Sequence, residues 1–265
     1  MRNLVILPGS SHPNLVNKIC ARLGMHPGNV KLTKFMNQET NVMIEQSVRG
    51  QDVYIVQTSN ENVNDSFVEL MIMISACKNS SANKVVAVIP HFFYSRQPDG
   101  PYARLPKNIE RERTASVQES DTAASSRDEM DPVTNLSFNY RGWTARSGTL
   151  IANLLSVAGC DHVITLDLHD AQFQGYFDVP VDNLFCKPLI IHQVRSIKGY
   201  KDAAICSPDA GGAKRAAVIA EELGLQFVLI HKKTTKQRQH MLLVGDVKDK
   251  LCIIIDDMAE YIKLT

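Results

Sequence analysis

The sequence lacks an excess of charge of either sign and any long apolar run, and both absences exclude whole classes of protein. Its 29 Lys and Arg residues nearly cancel its 28 Asp and Glu residues, so no overall field draws the 265-residue chain to nucleic acid or anionic lipid. No apolar run approaches membrane-spanning length, and the run at residues 4–7 is too short for a secretory signal. We therefore expect no nucleic-acid partner and no membrane partner.

Paired cysteines are also lacking. The six cysteines are scattered without a Cys-x-x-Cys motif, and most lie inside apolar segments. This pattern is typical of reduced, buried thiols in a cytoplasmic protein and argues against a zinc site. A hydrophobic content of 44% is enough to form the core of one large or two small domains.

What the sequence does contain is a repeated alternation of short Val/Ile/Leu runs with helical patterns. This alternation predicts βαβ units around mainly parallel, buried sheets, and therefore an α/β fold. The predicted strands are 4–7, 53–57, 85–90, 162–167, 203–207, 226–231 and 251–256, and the predicted helices are 12–24, 64–77, 144–158, 187–195 and 212–223. Two such series suggest a duplicated architecture, which we divide into domains at 1–185 and 186–265.

The stretch at residues 98–141 breaks this rhythm. It is rich in serine and in charge, and it has hardly any β-branched or large apolar residues. Because so polar a segment cannot bury enough surface to offset the entropy of ordering, we expect a disordered surface insertion within the first domain.

The most informative motif is Ser-Pro-Asp-Ala-Gly-Gly-Ala-Lys-Arg at residues 207–215, directly after a predicted strand. Asp209, Gly211 and Gly212 there open the next predicted helix. Glycines let the backbone approach a ligand closely, and a helix N-terminus offers N–H groups and the positive end of a dipole. The turn therefore predicts binding of a phosphorylated ligand.

A second motif lies at the end of another predicted strand. Asp167 and His169 project there on the same side, at the carboxyl edge where open α/β sheets bind ligands, and Asp178 and Asp182 follow shortly. Carboxylates with one imidazole suit a hard cation such as Mg²⁺ bridging phosphates better than zinc. The alternative is that Asp167 caps the next turn, that His169 is merely hydrogen-bonded, and that the later carboxylates belong to an ordinary turn.

Two further motifs suit contacts with a nucleotide. Arg96 and Gln97 follow a predicted strand, and a guanidinium beside an amide matches phosphate and base, although a solvated arginine is the default. Phe35, Asn37 and Glu39 lie between strand-like segments, where the ring could stack on a purine and the polar groups read its edge. A hairpin with a half-buried Phe35 is the alternative.

Charged residues after the last two predicted strands complete the candidates. Lys232 belongs to a basic run at 231–240 that could close over a phosphoryl group or could be only a solvated face. Asp256 and Asp257 end an apolar strand, where paired carboxylates ordinarily bind ribose hydroxyls or metal. No glycine follows them, so we expect no tight phosphate-binding turn at that point.

Taken in order, many short motifs resemble those of ribose-phosphate pyrophosphokinase, the phosphoribosyl pyrophosphate synthetase. The colinear matches are Gly9-Ser-Ser-His12, Asn37-Gln-Glu39, Ser47-Val-Arg-Gly50, Ala87-Val-Ile-Pro90, Tyr94-Ser-Arg-Gln97, Leu154-Leu-Ser-Val-Ala-Gly159, Asp167-Leu-His169, Pro180-Val-Asp-Asn-Leu184, Ser207 to Arg215 and Val244-Gly-Asp-Val-Lys-Asp249. The resemblance covers everything except the insertion, which is similar to those of fungal paralogues, and the last few residues.

The resemblance implies two domains of type I phosphoribosyltransferase fold, the second incomplete. It also implies transfer of the β,γ-pyrophosphoryl group of ATP to ribose 5-phosphate with Mg²⁺, in a homo-oligomer or a hetero-oligomer with synthetase paralogues. The implied roles are ATP binding by Arg96 and Gln97, contact with a neighbouring subunit's adenine by Phe35, Asn37 and Glu39, metal binding by Asp167 and His169, orientation of ribose 5-phosphate or its metal by Asp209, and stabilisation of the transferring group by Lys232.

The chain also departs from the family pattern. Lys232 is followed by Lys233 and Thr234, where the family usually continues Lys-Glu-Arg, and the sequence ends before the ribose-phosphate loop expected after Asp257. Three hypotheses follow: a synthetase subunit with little activity as an isolated chain, a non-catalytic regulatory or scaffold subunit, or a truncated gene product.

Overall fold

The structure, a computed structural model, describes residues 3–95, 102–104, 141–143, 147–234 and 239–258. The strands in chain order are β1 (Leu4–Pro8), β2 (Val30–Lys34), β3 (Thr40–Ile44), β4 (Asp52–Val56), β5 (Lys84–Ile89), β6 (Tyr102–Arg104), β7 (Arg141–Trp143), β8 (His162–Leu166), β9 (Val181–Leu184), β10 (Ala204–Ser207), β11 (Gln226–Thr234), β12 (Gln239–Val244) and β13 (Cys252–Ile254). The helices are α1 (Pro13–Leu23), α2 (Val63–Asn79), α3 (Ser147–Ala158), α4 (Lys187–Ser196) and α5 (Ala213–Leu223), with 3₁₀ turns at Ala171–Tyr176 and Tyr200–Asp202.

The first sheet is parallel throughout, in the order β1-β4-β5-β8-β9. Helices cover both of its faces, because α2 and α3 pack on one core and α1 packs on the other. Successive residues of a central strand are therefore all buried, as Val85, Val86 and Ala87 are. This two-sided burial explains why the strands appear in the sequence as continuous apolar runs rather than alternating ones.

The second sheet has the order β12-β11-β10-β13. Its central strand β10 is parallel to β11 and to β13, while β12 returns antiparallel to β11. Its core joins Ile205 of β10 to Ile191 of α4 and Ile219 of α5. The predicted α/β fold with mainly parallel sheets is confirmed, and each predicted strand and helix is present within a few residues of its expected limits. The domain limits at 185 and 186 stay a prediction.

Two edge strands were not expected from the sequence, namely β9 in the first sheet and β12 in the second. β2 and β3 form a separate antiparallel hairpin, which is the alternative that the sequence left open around Phe35. β9 is the clearest case, because Val-Asp-Asn-Leu after a proline suggests a turn by local preference. Pairing with β8 along the whole segment overrides that preference.

The segment predicted as a disordered insertion contains a strand near its start. Tyr102–Arg104 pairs antiparallel with Arg141–Trp143. The disordered insertion stays a prediction. Positions 105–140 lie outside the described residues. Among the helices that are described, none is both long enough and apolar enough to cross a bilayer.

Candidate active site

A cleft of about 360 Å³ opens at the carboxyl ends of the parallel strands. The segments that follow β4, β5 and β8 in the first sheet and β13 in the second contribute to its walls. Its polar lining consists of His12, Thr58, His91, Ser95, Asp167, His169, Asp256 and Asp257. The site therefore lies at the sheet edge where α/β proteins bind ligands.

A hydrogen bond across the cleft joins the two predicted domains. His169 Nδ1 lies 2.7 Å from Asp257 Oδ2, and Arg215 Nη1 of α5 lies 3.3 Å from the other carboxylate oxygen. The side chain of Asp257 is only 10% exposed. Both oxygens of a nearly buried carboxylate are thus engaged, one by each domain.

The pKa values of the two neighbouring aspartates are shifted in opposite directions. Burial of Asp257 opposes its ionisation, but the hydrogen bonds from His169 and with Asp256, together with the Arg215 charge, outweigh it and lower the pKa of Asp257. Asp256 is an exposed residue as a whole. Even so, partial burial of its carboxyl group, its hydrogen bond to Asp257 and the charges of Asp257 and Asp209 raise the pKa of Asp256.

The turn at 207–212 lies beside these aspartates. The Gly212 N–H donates to Asp209 Oδ1 at 3.0 Å, and Ser207 Oγ donates to the Asp209 carbonyl at 2.7 Å. A Cβ atom on Gly212 would lie 3.1 Å from Ser207 Oγ and 3.5 Å from Asp256 Oδ1, so the close approach favours glycine. The Gly211-Gly212 turn and Asp256 are therefore packed together next to His169 and Asp257.

Asp167 lines the cleft, and its Oδ2 accepts from the N–H of Cys186, the residue before α4, at 3.0 Å. The turn that follows Asp167 in the chain is capped by Asp170 instead, whose side chain accepts from the Gln172 N–H. The backbone of Asp167 has a positive φ of 41°, a strained value that is often found at functional sites. Burial, the hydrogen bond to Asp167 and its charge raise the pKa of Cys186 to about 11.

The structure does not bring Asp178 and Asp182 to this cleft. Asp178 is exposed after the 3₁₀ turn. Asp182 lies within β9, where its Oδ2 is 2.8 Å from His162 Nε2. His162 is the first residue of β8, whereas Asp167 follows the last, so Asp182 points to the opposite end of the strand.

A complete metal cage is lacking in the part of the chain that is described, where no three His, Cys, Asp or Glu side chains cluster closely enough to hold an ion. Mg²⁺ does not require one, because it keeps several waters and is usually held by one or two carboxylates together with substrate phosphates. Asp167 and His169, which line the open cleft, fit an ion bound in that way.

The predicted nucleotide contacts fall in two places. Phe35, Asn37 and Glu39 form the tip of the β2–β3 hairpin, where the Phe35 N–H donates to the Glu39 carbonyl and the Asn37 side chain accepts from the Glu39 N–H. Phe35 is 53% exposed, so its ring is available to another molecule. Arg96 and Gln97 lie outside the described residues, directly after Ser95 in the cleft wall.

Lys232 was expected in a loop, but its backbone belongs to β11 and pairs with Met241 of β12. Leu229 is aligned with Ser207, the last residue of β10. Three further residues of strand extend about 10 Å, so Lys232 lies beyond the carboxyl edge of the sheet, on the same side as Asp209. Lys232 therefore belongs to the antiparallel ribbon formed by β11 and β12, rather than to an irregular loop.

Sequence reasoning missed the support beneath another wall of the cleft. The side chain of Gln57 is buried and accepts from Ser11 N and Oγ, while its amide donates to the buried Glu69 at 2.6 Å. Glu69 also accepts from Ser10 N. These contacts hold the turn that carries His12. The Gly-Ser-Ser motif signalled a turn, but nothing local indicated which distant side chains would hold it.

Comparisons with known proteins agree with this geometry. Residues 4–109 match the model of the N-terminal domain of ribose phosphate pyrophosphokinase. A Schizosaccharomyces pombe protein named ribose-phosphate pyrophosphokinase 5 is 49% identical over 268 residues, which cover 98% of this chain and 72% of the relative. The chain belongs to the ribose-phosphate pyrophosphokinase family.

A solved structure supports the same family at the level of the fold. Phosphoribosylpyrophosphate synthetase from Mycobacterium smegmatis is 30% identical, with a TM-score of 0.73 over 97% of this chain and 72% of that one. The chain is therefore a member of a family of transferases, with the family's α/β fold. For a ribose-phosphate pyrophosphokinase family member, a cleft lined by carboxylates and imidazoles at the sheet edge is the candidate active site.

Proposed function

We propose that this chain transfers a pyrophosphoryl group from ATP to ribose 5-phosphate, with Mg²⁺, to make phosphoribosyl pyrophosphate for nucleotide biosynthesis. One observation carries the proposal: the His169–Asp257 hydrogen bond holds the first-domain motif against Asp256 and the turn at Asp209. Had these motifs been on different sides of the molecule, no single cleft could hold both substrates.

The side chains divide the work as follows. The turn at Asp209 presents backbone N–H groups and the N-terminus of α5 to a phosphorylated sugar. Asp256 accepts hydrogen bonds from ribose hydroxyls. Asp167, His169 and Asp209 would hold the cation, which would supply neutralisation of phosphate charge. Arg96 and Gln97 hold ATP, and Lys232 approaches the transferring group from the ribbon.

The adenine contact belongs to a neighbouring subunit in this proposal. Phe35 is 53% exposed at a hairpin tip, and the exposed polar residues Asn37 and Glu39 stand beside it. An aromatic ring with adjacent polar groups can stack on a purine and recognise its edge. The proposal therefore includes an oligomer, of this chain alone or with paralogues, in the cytoplasm.

The test is an assay of the purified chain with ATP, Mg²⁺ and ribose 5-phosphate, following AMP and phosphoribosyl pyrophosphate together. We expect both products in equal amounts, and a loss of about 100-fold or more in His169→Ala. Asp202→Asn, which removes an exposed carboxylate from the second 3₁₀ turn, is the matched control and retains the parent rate. Absence of both products from a folded, oligomeric parent protein would refute the proposal.

A second candidate is a non-catalytic regulatory or scaffold subunit. It is favoured by the sequence Lys232-Lys233-Thr234, because a family loop that usually supplies Lys and Arg lacks the arginine here, and because these three residues belong to β11 and pair with β12. The discriminating experiment is co-expression with an active paralogue. Stable co-purification, altered paralogue activity and no turnover by this chain alone would support the regulatory function; a lone inactive monomer would exclude it.

A further inference from the structure

The nearly buried carboxylate of Asp257 has a geometry that a direct substrate ligand does not need. Its Oδ2 lies 2.7 Å from His169 Nδ1, its Oδ1 lies 3.3 Å from Arg215 Nη1, and its side chain is 10% exposed. The adjacent Asp256 is exposed and stands beside Gly212. The two aspartates therefore face different partners, although the sequence suggested one shared role.

The hydrogen bond determines which nitrogen of His169 carries the proton. An ionised carboxylate only accepts hydrogen bonds, so Nδ1 must be the donor to Asp257. In the neutral ring Nε2 then has the lone pair, and His169 lines the cleft. A carboxylate behind an imidazole is the arrangement that orients histidines toward metal ions in many proteins.

Arg215 stabilises this carboxylate, which is largely removed from water. A buried carboxylate without a charged partner is strongly unfavourable, and the Arg215 guanidinium supplies that partner from α5. Arg215 is itself 28% exposed and sits in the first turn of α5, immediately after the Gly-Gly turn. One ion pair thus connects the helix that follows the Gly211-Gly212 turn with the ring orientation of His169.

We propose that Asp257 and Arg215 are positioning residues: Arg215 holds the Asp257 carboxylate, and Asp257 holds His169 as the Nδ1–H tautomer with Nε2 directed at the cation and phosphates. The inference rests on the proposed function for the identity of that cation. It assigns binding of ribose hydroxyls to Asp256 rather than to both aspartates. It also makes the ring orientation of a first-domain residue depend on a second-domain helix.

The experiment uses ¹⁵N-histidine-labelled protein and NMR at neutral to mildly alkaline pH, without substrates, with His169→Gln to assign the signal. We expect a pyrrole-type Nδ1 and a pyridine-type Nε2 for His169 in the parent protein. Arg215→Met and Asp257→Asn should both shift the ring toward the Nε2–H tautomer, and Arg215→Lys should retain most of the parent pattern. Arg195→Met, in the last turn of α4, removes the same charge as a control and leaves the pattern unchanged.

Mn²⁺ provides the second measurement, because its paramagnetism broadens the signals of nearby nuclei. We expect Mn²⁺ to broaden the His169 Nε2 signal in the parent, and the concentration for half-broadening to rise about tenfold in Arg215→Met. Circular dichroism identifies any variant that has lost its fold, and Arg215→Gln, which also removes the charge, then replaces Arg215→Met in both measurements.

An unchanged His169 tautomer in both Arg215→Met and Asp257→Asn would overturn the inference, as would an unchanged Mn²⁺ concentration for half-broadening in a folded Arg215→Met variant. A change in Asp257→Asn alone would overturn the part assigned to Arg215. Because these signals are recorded without ATP or ribose 5-phosphate, a chain that makes no product but shows the tautomer shift refutes the proposed function and leaves this inference standing.

Discussion

The turn between β1 and α1 offers a sharp test of the packing beside the cleft, through the substitution Gly9→Ala. A Cβ atom at Gly9 would overlap Gln57 Oε1 and would lie 2.6 Å from its Cδ and 3.0 Å from its Cβ. Distances below 3.0 Å between such atoms require that something move. Gln57 is completely buried, so it has no solvent-filled space into which to withdraw.

The size of the effect follows from what Gln57 would lose by moving. Its Oε1 accepts from Ser11 Oγ at 2.5 Å and its Nε2 donates to Glu69 at 2.6 Å, and each hydrogen bond contributes about 1 kcal/mol net. Added volume in a packed interior usually costs about 1–3 kcal/mol. We therefore expect Gly9→Ala to lower the free energy of unfolding by about 3 kcal/mol.

Urea denaturation followed by far-ultraviolet circular dichroism measures this loss. Gly175→Ala is the matched control, because a methyl group at Gly175 would meet no heavy atom within 4 Å and the residue has no strained φ, so its change should stay within about 0.5 kcal/mol. In a Gln57→Ala background, which removes the obstructing side chain, Gly9→Ala should cost less than about 1 kcal/mol. A loss below about 0.5 kcal/mol in the parent background would refute the packing argument.

Three further predictions test charges around the site. Asp256→Asn should raise the free energy of unfolding at neutral pH, because the raised pKa of Asp256 means that ionisation of this carboxyl group destabilises the fold. The gain in free energy of unfolding should vanish below about pH 4, where the carboxyl group is protonated in both states. A gain that stays constant with pH would contradict this prediction. Asp167→Asn should speed alkylation of Cys186 by iodoacetamide at pH 9, because it removes a carboxylate that helps to raise the pKa of Cys186 to about 11. Mass spectrometry gives the alkylation rate, and slower labelling of Cys186 would count against this prediction. Asp161→Asn should lower the free energy of unfolding, measured by urea denaturation, by about 1–2 kcal/mol. The reason is that the Asp161 carboxylate accepts hydrogen bonds from Lys78 Nζ and from a β5 backbone N–H at 2.7 Å each. An unchanged free energy of unfolding would show that these hydrogen bonds contribute nothing net.

The positions of the main strands and helices were accessible from the sequence because burial on both faces of a parallel sheet leaves a local pattern. Val85 to Ile89 is an uninterrupted apolar run for this reason. The same holds for the turn at Asp209, where Gly211 and Gly212 reflect a close approach of the backbone to its neighbours. Such features depend on residues that are adjacent in the chain.

β9 and the partners of Asp182 were not accessible in the same way. Asp182 was grouped with Asp167 because only fifteen residues separate them in the chain, yet the pairing of β9 with β8 directs it to His162 at the other end. Local sequence preference suggested a turn at this point. Only the tertiary pairing shows that a strand runs through it.

By itself, the sequence determined the α/β class, the alternation of elements and the position of the glycine turn at Asp209, because hydrophobic period and glycine placement act over a few residues. The tertiary structure alone decided that His169 meets Asp257 across 88 positions of chain, and that Arg215 completes the group. Hydrogen bonds of this kind depend on how two sheets approach each other, and that approach is set by packing far from either residue.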